Sequence, residues 1–438
     1  MVGLPSLVAI AGLVVGLEDE ARTLLAAGDR HFDADRSAAS ILSYRRALAL
    51  ANCSGALCET LTNAEHVQAH ANMGASYMSI AHSPSWTPDA IAFESYATAA
   101  SLKHWSIPHE MYPSGTSAFF LELLQRDLAL LRATRRYHAD GGARPAALRV
   151  EAVARVAASE LTVDEFSRLY AVPRRPVVIE GADLPDLDAF LRSLEPFGES
   201  RVPLRRHETG SRTWAALSQK IGETTLGAVL EKRRSGTNGS ELLVFDWPLP
   251  EAVRFPVPPY FAGDVLAGLP RDGGFALAGQ WPSLFVQPAG TRCGLHTDAH
   301  ATHFWQALIG GRKTWRIFDR DATARLYPHG PNRNWYGVSD AFAAPDAAFP
   351  ALRGATVFEA DLRPGDLIFV PAGLPHQVVN VEATVAISVN FVDETNLDDA
   401  IDALFLACEG CESGVRPDFE MTRRRLIALR DELRNKQR

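Results

Sequence analysis

After residue 16 this sequence never runs for ~18 apolar residues without interruption, so no membrane-spanning helix is predicted. Cysteine is scarce, five in 438 residues and an odd number. Cys53 and Cys58 could pair in an oxidising compartment, while Cys408 and Cys411 make one C-x-x-C without the second pair that a structural zinc site uses. Free thiols are the expectation. Basic residues do not dominate: 44 Lys and Arg against 52 Asp and Glu give a net charge of −8, which excludes bulk electrostatic capture of nucleic acid and leaves room only for a local patch. The C-terminal cluster Arg423, Arg424, Arg425, Arg430, Arg434, Lys436 and Arg438 is interspersed with Asp431 and Glu432 and reads as a solvated helix face. Charge is also missing before Glu18, where Leu4 to Gly16 form an apolar run like a signal-peptide core without its basic flank. The expectation is cytoplasm or nucleus, with the endoplasmic-reticulum lumen or secretion as the alternative if residues 1–16 act as a signal.

What is present is a folded-protein composition, 47% hydrophobic and 22% charged, over a length suited to two or three domains. Beyond the apolar segment 1–18, residues 19–140 are rich in Ala and Leu and read as helical. Gly28 precedes Tyr44 and Ala47, and Gly74 to Tyr77 precede Tyr96 and Ala99, in the manner of the small and aromatic positions of a tetratricopeptide-like helix pair. The two glycines are 46 positions apart against the usual ~34 of that repeat, so an unspecialised helical bundle stays open beside it. Past the Gly141–Pro145 linker, Thr162-Val163-Asp164-Glu165 has the form of a capping box. Short strands with Gly and Pro punctuation follow: around Val177, Leu242–Phe245, Ser283–Gln287, Trp305–Ile309, Thr314–Phe318, Leu367–Val370, Gln377–Val379 and Val385–Phe391. The pattern predicts an α+β protein whose 145–395 domain is a jelly roll or sandwich, with helices over 396–438.

Three stretches carry chemistry. The turn GLHTD supplies His296 and Asp298, and PGDLIFVPAGLPHQVVN supplies His376, 78 positions beyond Asp298. Two imidazoles and a carboxylate on one side of a non-haem Fe(II) leave its other positions open. An H-x-D alone is weak, since His31-Phe32-Asp33 and His138-Ala139-Asp140 also occur. His300 and His303 extend His296 into H-x₃-H-x₂-H, which could bind zinc on a helix; substrate contact or surface exposure is the preferred reading of both. In GGRKTWRIF, alternation places Lys313 on the face of Trp315 and Ile317, and a lysine on an apolar face calls for an anion. The last strand puts Val385, Ile387, Val389 and Phe391 on one face, leaving Ser388 and Asn390 on the other, where Ser388 could donate to the same carboxylate.

These residues resemble the Jumonji-C, cupin-like family of Fe(II)- and 2-oxoglutarate-dependent oxygenases, over about Leu161 to Asp399. The resemblance implies a double-stranded β-helix and iron ligation by His296, Asp298 and His376. It also implies a 2-oxoglutarate site at Lys313, Ser388 and Asn390, with Gln306 where an Asn is common. Phe245-Asp246-Trp247 and Asn390-Phe391 are most similar to the small protein hydroxylases of the phosphatidylserine-receptor-like branch. The sequence departs from the family at Leu243, where a cosubstrate tyrosine is common, and at Cys293, where a Thr is common.

The activity so implied is hydroxylation of a protein side chain, or demethylation through hydroxylation, with release of succinate and CO₂. The helical N-terminal region would help to hold a protein partner. An RNA-base hydroxylase, a non-catalytic cupin-like scaffold, and metal storage through His296, His300 and His303 are the alternatives. His300, Arg333 and Trp335 are the candidate substrate contacts, the last two from the aromatic and basic stretch Tyr327–Tyr336. Pairing of two chains through the C-terminal helices is a further expectation.

Overall fold

In the computed structural model the chain divides into two compact units: Met1–Ala146 with Ala324–Arg333 and Pro345–Arg353, and Ala147–Thr323 with Asn334–Ala344 and Gly354–Arg438. The structure describes residues 21–30, 43–44, 47, 69, 148–207, 218–235, 244–326, 328–329, 335–336, 338, 340–343, 352, 354–407 and 417–436. Among these, no helix is long and apolar enough to cross a membrane.

In the first unit residues 21–30 are helical. A Cβ added at Gly28 would stand 2.6 Å from the Tyr44 ring, so only glycine permits that approach. Tyr44 is fully buried and its hydroxyl donates to Asp29 Oδ1. Gly28 and Tyr44 thus pack small against aromatic; Gly74, Tyr77 and Tyr96, on which the reading of a second helix pair rests, lie outside the described residues.

The second unit is a β-sandwich. Its strands are β1 (Arg149–Ala152), β2 (Ala154–Ala157), β3 (Val177–Glu180), β4 (Arg201–His207), β5 (Ser218–Thr225), β6 (Val244–Pro248), β7 (Ser283–Gln287), β8 (His303–Gly310), β9 (Lys313–Phe318), β10 (Thr356–Leu362), β11 (Leu367–Val370), β12 (His376–Asn380) and β13 (Thr384–Phe391). A seven-stranded sheet runs in the order β2-β3-β11-β8-β13-β7-β6, a four-stranded sheet in the order β1-β10-β9-β12, and β4 with β5 forms a separate hairpin. The strands read from the sequence are present with slightly different ends. Five of these strands escaped that reading. β1 and β2 are short, alanine-containing and added in parallel at sheet edges, and β4 and β5 carry mostly polar residues without apolar alternation. β10, whose TVFEADL also went unread, pairs antiparallel with β9.

The large sheet is buried on both faces. Phe285, Phe304, Leu308, Ile368 and Ala386 point inward and meet Trp315, Ile317, Ala360 and Leu362 of the small sheet. Leu284, Val286, Trp305, Ala307, Phe369, Ile387 and Phe391 point outward. Helices α1 (Leu187–Leu194) and α2 (Leu226–Arg234) cover that outer side. Phe190, Leu191 and Leu194 make the buried stripe of α1, each such side chain contributing about 1.5–3 kcal/mol, and Asp186 caps the helix by accepting from the Ala189 N–H at 2.7 Å. The capping box at Thr162 forms as read: Thr162 Oγ1 accepts from the Glu165 N–H, and the Glu165 carboxylate accepts from the Thr162 N–H. The helix so started delivers Phe166 onto Phe369 and Phe261 at ring separations of 4.8 and 5.5 Å. Helices α3 (Leu397–Ala407) and α4 (Pro417–Lys436) close the unit, with Ile401, Leu404, Phe419 and Leu426 packed against Leu266, Leu269 and Leu277.

Candidate metal centre

The turn between the sheets is built on one residue pair. His296, just before β8, and His376, at the start of β12, exchange backbone hydrogen bonds, with N–H to O distances of 3.1 and 2.7 Å. Their rings lie 4.5 Å apart between centroids. Phe304 and Trp315 flank the His376 ring at 6.1 and 5.8 Å, so packing fixes its orientation.

Each imidazole spends Nδ1 on a nearby carbonyl, His296 on Gly294 O at 2.8 Å and His376 on Leu374 O at 3.0 Å. A carbonyl only accepts, so Nδ1 carries a hydrogen, which in the neutral imidazole leaves the lone pair on Nε2. Both Nε2 atoms face Asp298, at 3.9 Å from its Oδ1 and Oδ2 respectively. That is beyond hydrogen-bond reach. One donor atom from each of the three residues lies within 4.8 Å of the others. Two neutral imidazole nitrogens and one carboxylate, oriented by backbone carbonyls behind them, fit a divalent cation of the Fe(II) type. Among the described residues these three form the only such group.

The hydroxyl of Thr297, between the two ligands of the turn, is hydrogen-bonded to the buried Tyr336 hydroxyl. Tyr336 belongs to the aromatic stretch noted in the sequence, although only its partners Arg333 and Trp335 were singled out there. Trp335 forms a two-residue strand with Tyr336; the Trp335 side chain and all of Arg333 lie outside the described residues.

Lys313 is fully buried on the inner face of β9. The glycine turn before it is required, because Gly311 has φ +83° and a Cβ there would meet Ala383 O at 2.2 Å. The ammonium donates to Gln287 Oε1 at 3.0 Å and Asn380 Oδ1 at 2.7 Å. Both partners are neutral amides that the sequence reading did not include. Burial pushes the Lys313 amine down to about 7, with the nearby Cys293 thiol acting in the opposite direction.

Across the large sheet Ser388 lies opposite both Ser283 and Gln306. Ser388 shares a hydrogen bond of 3.1 Å with Ser283, whose hydroxyl also lies 2.7 Å from Asp246 Oδ1. Ser388 stands four residues along β13 from Thr384, which bonds Asn380 beside Lys313. Asn390 donates to Thr302 Oγ1 at 2.9 Å. Gln306 Oε1 and Trp315 Nε1 are buried without a hydrogen-bond partner on the inner faces. An acceptor and a donor left over in the interior are what a polar ligand would satisfy.

His300 and His303 do not join the metal group. His303 is not a surface or substrate residue, and it is no zinc ligand: it is fully buried and points outward, with its ring 5.3 Å from Phe369 and 5.2 Å from Phe391. Its Nδ1 accepts from the Ala372 N–H at 2.9 Å and its Nε2 faces Thr395 Oγ1 at 2.9 Å. Burial, followed by the Arg174 guanidinium, holds it well below the ordinary histidine range and therefore neutral. His300 is partly buried, takes φ +57° and rests on the Phe419 ring of α4 at 4.9 Å. The segment after Asp298 is a single 3₁₀ turn, Ala299–Ala301, broken by the positive φ of His300 and followed by β8 at His303, so the H-x₃-H-x₂-H spacing never acts on one helix face.

Comparison with known proteins agrees with this geometry. Residues 260–396 match a family model described as a cupin-like domain. The chain is similar to the arginine-specific demethylase JMJ20 of Arabidopsis thaliana, with 25% identity over 63% of this chain and 66% of that protein. It is similar to the 2-oxoglutarate and iron-dependent oxygenase JMJD4 of Gallus gallus, with 25% identity over 54% of this chain and 59% of that one. It is also similar to the lysine-specific demethylase JMJ21 of Arabidopsis thaliana, with 26% identity over 54% of this chain and 25% of that one. The chain thus spans less than two thirds of the length of these relatives. The jelly-roll sandwich and the converged His-Asp-His group thus go with a cupin-like domain over residues 260–396, and the chain is similar to Jumonji-type 2-oxoglutarate and iron-dependent oxygenases and demethylases.

Proposed function

We propose that the chain is a Fe(II)- and 2-oxoglutarate-dependent dioxygenase that acts on a nitrogen-bearing side chain of a protein. The observation that carries this reading is the convergence of His296, Asp298 and His376 on an inner face that also holds the buried Lys313. The activities for which the relatives are named, arginine- and lysine-specific demethylation and 2-oxoglutarate-dependent oxygenation, support the substrate class.

His296, Asp298 and His376 would hold the iron, and the carbonyls of Gly294 and Leu374 keep each Nε2 turned to it. When bound, Fe(II) supplies the redox chemistry: O₂ and 2-oxoglutarate are converted to succinate and CO₂, and one oxygen atom enters a substrate C–H bond. The chain supplies orientation. The one Lys313 N–H not spent on amides would receive the distal carboxylate of 2-oxoglutarate. Gln306, Ser388 and Asn390 line the large-sheet wall of the same interior. Phe285 and Phe304 make the rest of that wall apolar, Trp315 faces them from the small sheet, and together they exclude water. Hydroxylation at carbon yields an alcohol; hydroxylation of a methyl group on nitrogen gives a carbinolamine that loses formaldehyde, so one site serves both outcomes.

The test is anaerobic mixing of the protein with Fe(II) and 2-oxoglutarate. The reading expects a weak visible charge-transfer band that vanishes in Asp298→Ala, and iron-dependent release of succinate when peptides bearing methylated arginine or lysine are supplied with O₂. A wild-type protein that takes up iron but gives no band with 2-oxoglutarate overturns it.

A further inference from the structure

Lys313 has three N–H donors, and two are committed within the protein. Gln287 reaches the ammonium from β7 of the large sheet, and Asn380 from β12 of the small sheet, directly opposite Lys313 in the β9–β12 register. Asn380 is pinned: its Nδ2 donates to Thr291 O at 3.1 Å and Thr291 Oγ1 at 2.8 Å, and its Oδ1 also accepts from Thr384 Oγ1 at 3.1 Å. Those contacts leave the Asn380 oxygen, rather than its nitrogen, facing the ammonium. All of these groups are buried. Both acceptors are uncharged, so they satisfy hydrogen bonds without cancelling the positive charge. A carboxylate in either place would complete an internal ion pair and leave nothing for a ligand to neutralise.

We propose that Gln287 and Asn380 are positioning residues for the cosubstrate: they aim the last N–H of Lys313 into the sandwich and, by being amides, reserve its charge for the carboxylate of an incoming acid. This rests on the cosubstrate reading above. It explains why a lysine shares the inner face of β9 with Trp315 and Ile317 and has no acidic partner among the described residues, since the counter-ion is the ligand. It also makes the amide oxygens determinants of specificity. A ligand ending in a neutral group would leave the ammonium uncompensated, and a ligand ending in a carboxylate would not.

The test compares two substitutions at Gln287 in the full chain. Gln287→Glu keeps the shape and adds one negative charge; Gln287→Met keeps the volume and removes the acceptor. Iron uptake, the thermal midpoint with and without 2-oxoglutarate, and the 2-oxoglutarate dissociation constant from the anaerobic charge-transfer band are measured for each. Gln287→Glu is expected to take up iron as the wild type does and to keep or raise its thermal midpoint without cosubstrate. It should lose the stabilisation by 2-oxoglutarate, with affinity falling about a hundredfold or more. Gln287→Met is expected to stay within about tenfold of wild-type affinity. A Gln287→Glu protein that binds 2-oxoglutarate like the wild type overturns the amide role, and so does a Gln287→Met protein as impaired as Gln287→Glu. A wild type that takes up iron and ignores 2-oxoglutarate instead overturns the cosubstrate reading itself.

Discussion

His376 and His303 are both buried histidines of one sandwich, yet they are put to opposite uses. His376 faces the space between the sheets, gives Nδ1 to a carbonyl and keeps Nε2 directed at Asp298. His303 faces the other way from the large sheet and has both nitrogens engaged: Ala372 N–H donates to Nδ1, while Nε2 donates to Thr395 Oγ1, which in turn donates to Asp393. Burial does not separate a ligand from a structural histidine. What separates them is whether a nitrogen remains after the backbone has taken its share, and whether a carboxylate stands in front of it.

The largest effect expected along this line is at the metal group. Asp298→Ala removes the only charged donor and should lower iron affinity by well over about a hundredfold, abolishing the 2-oxoglutarate band. His303→Ala should leave both intact. Metal analysis of the two purified variants decides it, and iron loss in His303→Ala would break the distinction.

The second effect is on stability, and it reverses the ranking. Removing the His303 ring opens a cavity against Phe369 and Phe391 and strands the Ala372 N–H, a loss of about 2–4 kcal/mol. Its pH dependence has a definite sign. The folded-state pKa lies below the ordinary 6.5, so the unfolded chain takes the proton first, and the stability held above 6.5 is lost as pH falls below it. Asp264, pushed up to about 6 by burial, runs the other way, losing stability as pH rises from 3.8 through about 6. The difference between wild type and His303→Ala in denaturant unfolding at pH 5 and pH 7 therefore isolates the histidine. An equal stability loss at both pH values would contradict its neutral, buried state.

How legible this was in the sequence depended on how local each signal is. His296, Asp298 and His376 lie in short turns whose neighbours, GLHTD and PGDLIFVPAGLPH, announce them. Lys313 was legible from alternation against Trp315 and Ile317. His303 was misread because every residue of β8 is buried, and a strand covered on both faces shows no alternation from which to assign a side. Gln287 and Asn380 were invisible for another reason. They belong to different sheets and converge on Lys313 only when the sandwich closes, so neither local sequence carries the information. The polar β4–β5 hairpin and the alanine-containing β1 and β2 show the same limit for the fold.

The third effect concerns the charge at Lys313. Only the ammonium can receive a carboxylate, and its amine is depressed to about 7. Affinity for 2-oxoglutarate should hold below pH 7 and then weaken by about tenfold per unit as pH rises toward 8.5, with one proton taken up on binding. The stability contribution has the opposite slope: without cosubstrate the protein gains stability from this group as pH rises from about 7 toward 10.5. The Cys293 thiol is the titratable group that bears on it, and Gln287 and Asn380 are neutral. Lys313→Arg, which stays charged, should flatten the affinity profile even if it binds less tightly. A wild-type affinity independent of pH between 6.5 and 8.5 would sink this account.

The smallest effect sharpens the comparison at the ligand turn itself. Thr297 stands between the two ligands of the turn, and its hydroxyl is bonded to Tyr336, which is buried. Tyr336→Phe keeps the ring and deletes that partner, so the loss should be about 1 kcal/mol, roughly a three- to tenfold decrease in iron affinity, with the overall fold unchanged. Thr297→Val deletes the other half of the same bond. If the bond acts as a unit, the double variant should lose little more than either single one, whereas independent roles would make the losses add. Equal iron affinity in wild type and Tyr336→Phe would mean that the backbone pairing of His296 with His376 is enough to hold the turn, and that His376 owes its open nitrogen to that pairing alone.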